Sequence, residues 1–215
     1  MANSPDVPAH KPLSGRKAQA ARNDGIILDA ARAVFLADAT APVAAVAERA
    51  GVGISALYRR YPSKEVLLRT LCFQGLSRYN SEGEAALGTD DDARVLDDFL
   101  HRVVDADVHS LTVRLAGTFT PDESFAPQVR RSAELNTEIL RRARSAGAVR
   151  DGVTITDFSL ILEACAAVAL PDATRTAELR HRMLALLLDG LRTPGELPGP
   201  APRPEDFAAR WQPRK

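Results

Sequence analysis

The sequence predicts an all-α fold, and two observations carry that reading. Apolar residues recur at three- and four-residue spacings over long stretches, and no Val/Ile/Thr-rich alternating run calls for a strand. Composition agrees: of 215 residues, 45% are hydrophobic but only 5% aromatic, and Leu and Ala are abundant. That balance favours helices over strands. A chain of this length buries roughly 70% of its unfolded surface and needs no disulfide or metal to fold.

The helices follow in order. Ile26, Ile27, Ala30, Ala31, Val34 and Phe35 form one apolar stripe on a first helix. Val43, Val46, Ala47 and Ala50 repeat the stripe on a much shorter second one. Pro42 suits its first turn, where a missing N–H costs nothing, with Thr40 or Ala41 at the cap. Gly51 ends it, because glycine accepts the left-handed cap conformation without a Cβ clash. A third helix runs from about Gly53 to Tyr61 and stops at Pro62, which pushes the preceding residue out of helical geometry. Ser63 caps a fourth, with Glu65 in its electropositive first turn.

Further along, Asp90, Asp91 and Asp92 precede a stripe of Val95, Leu96, Phe99, Leu100, Val103 and Val104. Another helix covers Ser124 to Ala146 and ends at Gly147, and two more span about Thr156 to Leu170 and Ala173 to Arg192. Residues 1–18 read as a flexible arm, with Pro5, Pro8 and Pro12 in it. Residues 193–215 hold Pro194, Pro198, Pro200, Pro202, Pro204 and Pro213, a density that predicts a disordered tail. Between these ends the expected units are 19–77 and 78–192.

Charge is unevenly spread. The chain carries 28 basic and 28 acidic residues, yet the first 69 residues hold ten basic groups against six acids. Such an asymmetry suggests that the amino-terminal part meets a polyanion. Cys72 and Cys165 have no CxxC or His companion, which excludes a zinc ribbon and a disulfide scaffold. The longest apolar run, Phe158 to Leu170, contains Glu163 and is too short to span a membrane. No basic-then-apolar leader opens the sequence, so a cytoplasmic protein is expected. GxGxxG, P-loop, GxSxG, HExxH and Cys–His signatures are all missing, so neither an enzyme nor a cofactor is expected.

Two short helices joined at Ala50-Gly51-Val52, preceded by a longer one, have the layout of a helix-turn-helix unit, whose second helix enters the major groove. The residues narrow this further. Ile27-Leu28-Asp29-Ala30-Ala31, Val46-Ala47-Glu48-Arg49-Ala50-Gly51-Val52-Gly53 and Leu57-Tyr58-Arg59-Arg60-Tyr61-Pro62-Ser63-Lys64-Glu65-Val66-Leu67 together resemble the TetR family of bacterial transcription regulators. The resemblance covers about Arg22 to Leu71, and Leu184 to Leu191 looks like the closing helix of many members.

The resemblance implies a homodimer whose amino-terminal domains bind a palindromic double-stranded DNA operator and whose carboxy-terminal domains hold a small-molecule effector that releases the DNA. It implies a recognition helix opening at Gly53 and exposing Ile54, Ser55, Ala56, Tyr58, Arg59 and Arg60. Tyr58 and Lys64 would meet phosphates, and Arg59 or Arg60 would read a guanine edge. Arg22 and Thr40 complete the DNA-facing set, with Arg16 and Lys17 adding contacts from the arm. Three features depart from the family pattern: the short Ala37 to Pro42 connection without glycine, the lack of a hydroxyl at Ala41 and Pro42, and Ser55-Ala56 in place of Gly-Thr. They keep open a helical ligand-binding or scaffold protein with a degenerate DNA-binding domain.

In the second unit, polar candidates for an effector cavity are Arg78, Tyr79, His101, His109, Arg114 and Asn136. The last two helices are apolar on more than one face, which predicts cover by a partner chain. Phe158, Ile161, Leu162, Cys165, Leu179, Met183, Leu187 and Leu191 are the expected dimer contacts.

Overall fold

The computed structural model describes residues 15–208, with side chains described from residue 22 onward. Its helices are α1 (Gly15–Ala37), α2 (Val43–Ala50), α3 (Ile54–Arg60), α4 (Lys64–Leu87), α5 (Val95–Asp105), α6 (Val108–Leu115), α7 (Ala126–Ser145), α8 (Asp157–Ala167), α9 (Ala173–Arg192) and α10 (Pro204–Ala208). A 3₁₀ turn, Glu123–Phe125, leads into α7. Among the described residues there is no strand.

Two apolar cores organise these helices. The first gathers Ile27, Ala31 and Phe35 of α1, Val43 and Val46 of α2, Leu57 of α3 and Leu67, Leu68 and Leu71 of α4. The second gathers Phe99 and Leu100 of α5, Ile139 of α7, Phe158 and Ile161 of α8, and Leu184 and Leu188 of α9. Helix α4 is continuous from one to the other, so the expected boundary at residues 77–78 falls inside it. The first core also recruits Leu111 and Leu115 of α6, with Phe119 and Phe125 beyond it, and so extends past residue 77. Between the cores, α4 meets α7 through polar groups. Asn80 Nδ2 donates to Gln128 Oε1 at 2.6 Å, and Ser132 Oγ donates to Asn80 Oδ1 at 2.7 Å. Gly83 permits this approach, since a Cβ there would lie 3.3 Å from Leu135 Cδ1.

Several local expectations hold. Gly51 adopts φ 65° and ψ 29° and its N–H caps α2, and Ser63 Oγ accepts the Val66 N–H at 3.2 Å. Others shift. Pro42 is itself the residue flanking α2, with extended ψ 154°, so Thr40 and Ala41 lie outside the helix. Ile26 faces solvent at 51% exposure, because the buried stripe runs through Ile27, Ala30 and Ala31. Helix α6 has no counterpart among the expected helices. It is only eight residues long and begins after Asp107, a non-glycine residue at φ 48° whose side chain makes no capping hydrogen bond to the helix backbone. The first helix reaches back to Gly15, so residues 15–18 are helical and not a flexible arm; residues 1–14 lie outside the described region.

The tail also needs correction. Residues 193–203 have no regular helix, but Pro204–Ala208 forms α10. Proline interrupts a helix interior, not its first turn, and Glu205 and Asp206 suit the positive amino end. The Arg203 N–H donates to Asp206 Oδ2 at 2.8 Å. Arg150 anchors the start of the tail, its Nε donating to the Gly195 carbonyl at 3.0 Å while its backbone N–H donates to Leu191 O at 2.8 Å.

Candidate DNA interface and effector groove

The turn between α2 and α3 is tight. Gly51 N–H donates to Glu48 O at 3.1 Å and Val52 N–H to Ala47 O at 3.0 Å, closing the carboxyl end of α2. Leu57 is fully buried and Tyr61 nearly so, which pins α3 by one face. The opposite face is exposed and carries Ile54 at 40%, Ser55, Ala56, Tyr58 at 45%, Arg59 and Arg60. Ile54 and Tyr58 are thus large side chains left in solvent on a short helix. The structure therefore brings Gly53, Ile54, Ser55, Ala56, Tyr58, Arg59 and Arg60 together on one surface.

Lys64, Thr40 and Arg60 are already engaged with neighbouring groups. Lys64 Nζ donates to the carbonyls of Ala39 at 3.1 Å and Ala41 at 2.8 Å, and burial lowers its pKa against the pull of Asp38. Thr40 Oγ1 donates to Asp38 Oδ1 at 2.6 Å, a bond that holds the Asp38 carboxyl below its ordinary range. Arg60 reaches back to α1, where its Nε donates to Asp24 Oδ1 at 2.6 Å and its Nη2 to Asp24 Oδ2. Arg59 has no side-chain hydrogen bond or ion pair among the described residues. Arg22 is exposed on α1, whereas the side chains of Arg16 and Lys17 lie outside the described region.

The six expected effector-cavity residues do not converge. Tyr79 OH donates to Asn136 Oδ1 at 2.9 Å inside the second core, and its ring meets Phe99 edge-on at 5.2 Å. Burial raises the Tyr79 pKa, which the Asn136 contact only partly offsets. Arg78 turns outward and pairs with Glu82 at 2.6 Å. His101 stacks on His181 with ring centres 5.5 Å apart, and His109 faces a small crevice beside Leu162 and Cys165. Arg114 Nε donates to Leu36 O at 3.0 Å, capping the carboxyl end of α1. Helical spacing put these groups in one region but not on one wall.

One of the six, Arg114, also lines an open groove of about 610 Å³ where α1, α5, α6, α8 and α9 meet. Leu36, Val113, Ala166, Leu170, Asp107 and Arg180 are among its lining residues. Asp107 joins the two halves of the protein: its Oδ1 accepts from Arg180 Nη1 of α9 at 2.7 Å, and its Oδ2 lies 3.3 Å from Arg32 Nη2 of α1. Sequence reasoning missed both Asp107 and Asp24. Their partners are 73, 75 and 36 residues away, beyond any local spacing rule.

Of the expected dimer contacts, five turn into the protomer and three stay partly open to solvent. Phe158, Ile161, Leu162, Cys165 and Leu191 are buried in the protomer's own core, and Leu179, Met183 and Leu187 are half-buried. The apolar side chains that α8 and α9 leave exposed are Leu160 at 48% and Leu186 at 62%. Periodicity shows that a helix has two apolar faces, but the fold alone selects which one turns inward.

No helix among the described residues is long and apolar enough to cross a membrane. No cluster of three or more His, Cys, Asp or Glu side chains among them is placed to hold a metal ion. A pinned recognition helix following a glycine turn, on a helical bundle with its own core, defines a helix-turn-helix DNA-binding protein. The family description "Bacterial regulatory proteins, tetR family" matches residues 27–71, and "Transcriptional regulator SbtR-like, C-terminal domain" matches residues 91–193. The chain belongs to the TetR family and is a DNA-binding transcriptional regulator.

Solved structures agree. The TetR regulator SCO0520 of Streptomyces coelicolor is 25% identical with a TM-score of 0.58, covering 79% of this chain and 98% of its own. A TetR regulatory protein of Mycobacterium vanbaalenii is 26% identical with a TM-score of 0.57, covering 83% and 99%. LfrR of Mycobacterium smegmatis, solved with proflavine, shares the fold at 24% identity and a TM-score of 0.62, covering 83% and 99%. No curated protein matches the chain by sequence.

Proposed function

We propose that the protein is a repressor that binds a palindromic operator as a homodimer and lets go when a small molecule binds. The exposed face of α3 carries this reading: Tyr58 and Arg59 stand in solvent on a helix held from behind by Leu57. Tyr58 supplies a hydroxyl for a phosphate, and Arg59 supplies a guanidinium for a guanine edge. A two-fold dimer through the exposed Leu160 and Leu186 faces of α8 and α9 presents two such helices to successive half-sites, roughly 34 Å apart on B-DNA.

The groove beside Asp107 is the effector site in this reading. Its volume of about 610 Å³ suits a small organic molecule, and its mostly apolar wall has a few charged groups that fix orientation. Its position supplies the coupling, because Leu36 of α1 and Arg180 of α9 both line it. A ligand seated there touches the DNA-binding and carboxy-terminal halves at once, and a shift of α6 is passed to α1. Thermodynamic reciprocity then requires that DNA weaken the ligand as much as the ligand weakens DNA.

Fluorescence anisotropy with the protein's own upstream intergenic DNA, against a scrambled duplex at the same salt, tests this. The expected result is marked preference for the upstream duplex with two protomers bound. Equal, weak, salt-steep binding to both would overturn operator recognition and leave the scaffold alternative.

A further inference from the structure

Arg60 is the last residue of α3, and its guanidinium does not point away from the protein. Its Nε and Nη2 form two parallel hydrogen bonds to the two carboxylate oxygens of Asp24 on α1. The pair lies within the exposed DNA-facing surface, with the Arg60 side chain 61% exposed and the Asp24 side chain 20% exposed. Two oxygens gripped by one edge of a guanidinium is also the geometry of an arginine on a phosphate. The carboxylate therefore occupies one of the two edges by which Arg60 would grip a DNA phosphate.

We propose that Asp24 is an affinity-setting residue for DNA, an internal stand-in for phosphate that competes with the DNA backbone for Arg60. The inference rests on the reading of α3 as the DNA-contacting helix. Lys64 is already bonded to the carbonyls of Ala39 and Ala41, and Asp24 withholds Arg60 from the backbone in the same way. Binding to arbitrary duplex is thereby held down, leaving Tyr58 and Arg59 a larger share of the discrimination.

The pair is accessible, and removing it leaves no buried charge, so variants at both positions are expected to fold. The experiment compares wild type, Asp24→Asn, Arg60→Ala and the double variant. The probe is a fluorescein-labelled mixed-sequence 30-base-pair duplex, titrated over a salt series, with thermal melting as the folding check. Freeing one cation for one phosphate steepens the log K against log salt slope by about 0.9, or about five- to tenfold tighter binding near 0.1 M salt. Asp24→Asn is expected to show that gain, and the gain is expected to vanish when Arg60 is also replaced. A wild-type slope and affinity in Asp24→Asn overturns the proposal. So does a gain that persists without Arg60, which would be the effect of net charge alone. Failure of every form, wild type included, to bind the duplex at low salt overturns the DNA-contacting reading and the proposal with it.

Discussion

The Lys64 ammonium lies 5.2 Å above the centre of the Phe35 ring, with the carbonyls of Ala39 and Ala41 as its acceptors. The lysine thus ties the start of α4 to the turn between α1 and α2. That turn lacks the glycine that would hold it by backbone geometry, and the charged hydrogen bonds take that role. Lys64→Ala is expected to lower stability by about 1–3 kcal/mol through their loss. Urea denaturation measures this, and an unchanged midpoint would contradict the structural role.

The face of α3 makes a separate prediction. Arg59→Ala and Tyr58→Ala are each expected to weaken operator binding by about 1–3 kcal/mol. Their folding stability should move by no more than about 0.5 kcal/mol, as befits exposed positions. Anisotropy titrations and thermal melts on the same preparations separate the two effects.

Asp107 joins α1 to α9 from a left-handed backbone conformation that asparagine and aspartate tolerate better than most residues. Asp107→Ala puts a residue that tolerates the left-handed conformation less well in its place and leaves Arg180, whose side chain is only 13% exposed, without its carboxylate. A loss of about 2–4 kcal/mol is expected in urea, with Asp107→Asn recovering the backbone share. Equal losses for both variants would show that only charge matters there.

Burial pushes the Cys72 thiol from its ordinary value near 9 up to about 12. The folded protein therefore holds this proton more tightly than the unfolded chain. The stability linked to it is complete below about pH 9 and is lost as pH rises toward about 12. Iodoacetamide at pH 8 should leave Cys72 unlabelled in the native protein and label it fully in urea, as mass spectrometry will report. Fast native labelling would mean that the first core opens readily.

Leu186 is 62% exposed on α9 and contributes little to the protomer's own core. Leu186→Glu is expected to yield a folded monomer with weakened operator binding, read by sedimentation velocity and anisotropy. A dimer that survives the substitution would place the interface on another surface.

Local sequence determined the helix-turn-helix unit. Gly51 at the left-handed cap, Pro62 as a stop and Ser63 as a start all act within three or four residues, so order along the chain suffices to read them. The exposed row from Ile54 to Arg59 follows from the same short period, once Leu57 is recognised as the buried anchor. Tertiary structure decided the rest, because each remaining feature depends on residues far apart in the chain. The inward choice of Phe158 and Ile161 over Leu160 was made by the second core. The capture of Arg60 by Asp24 depends on how α3 lies against α1. The groove beside α6 is bordered by Asp107, whose partners Arg32 and Arg180 only the packed fold brings to one carboxylate.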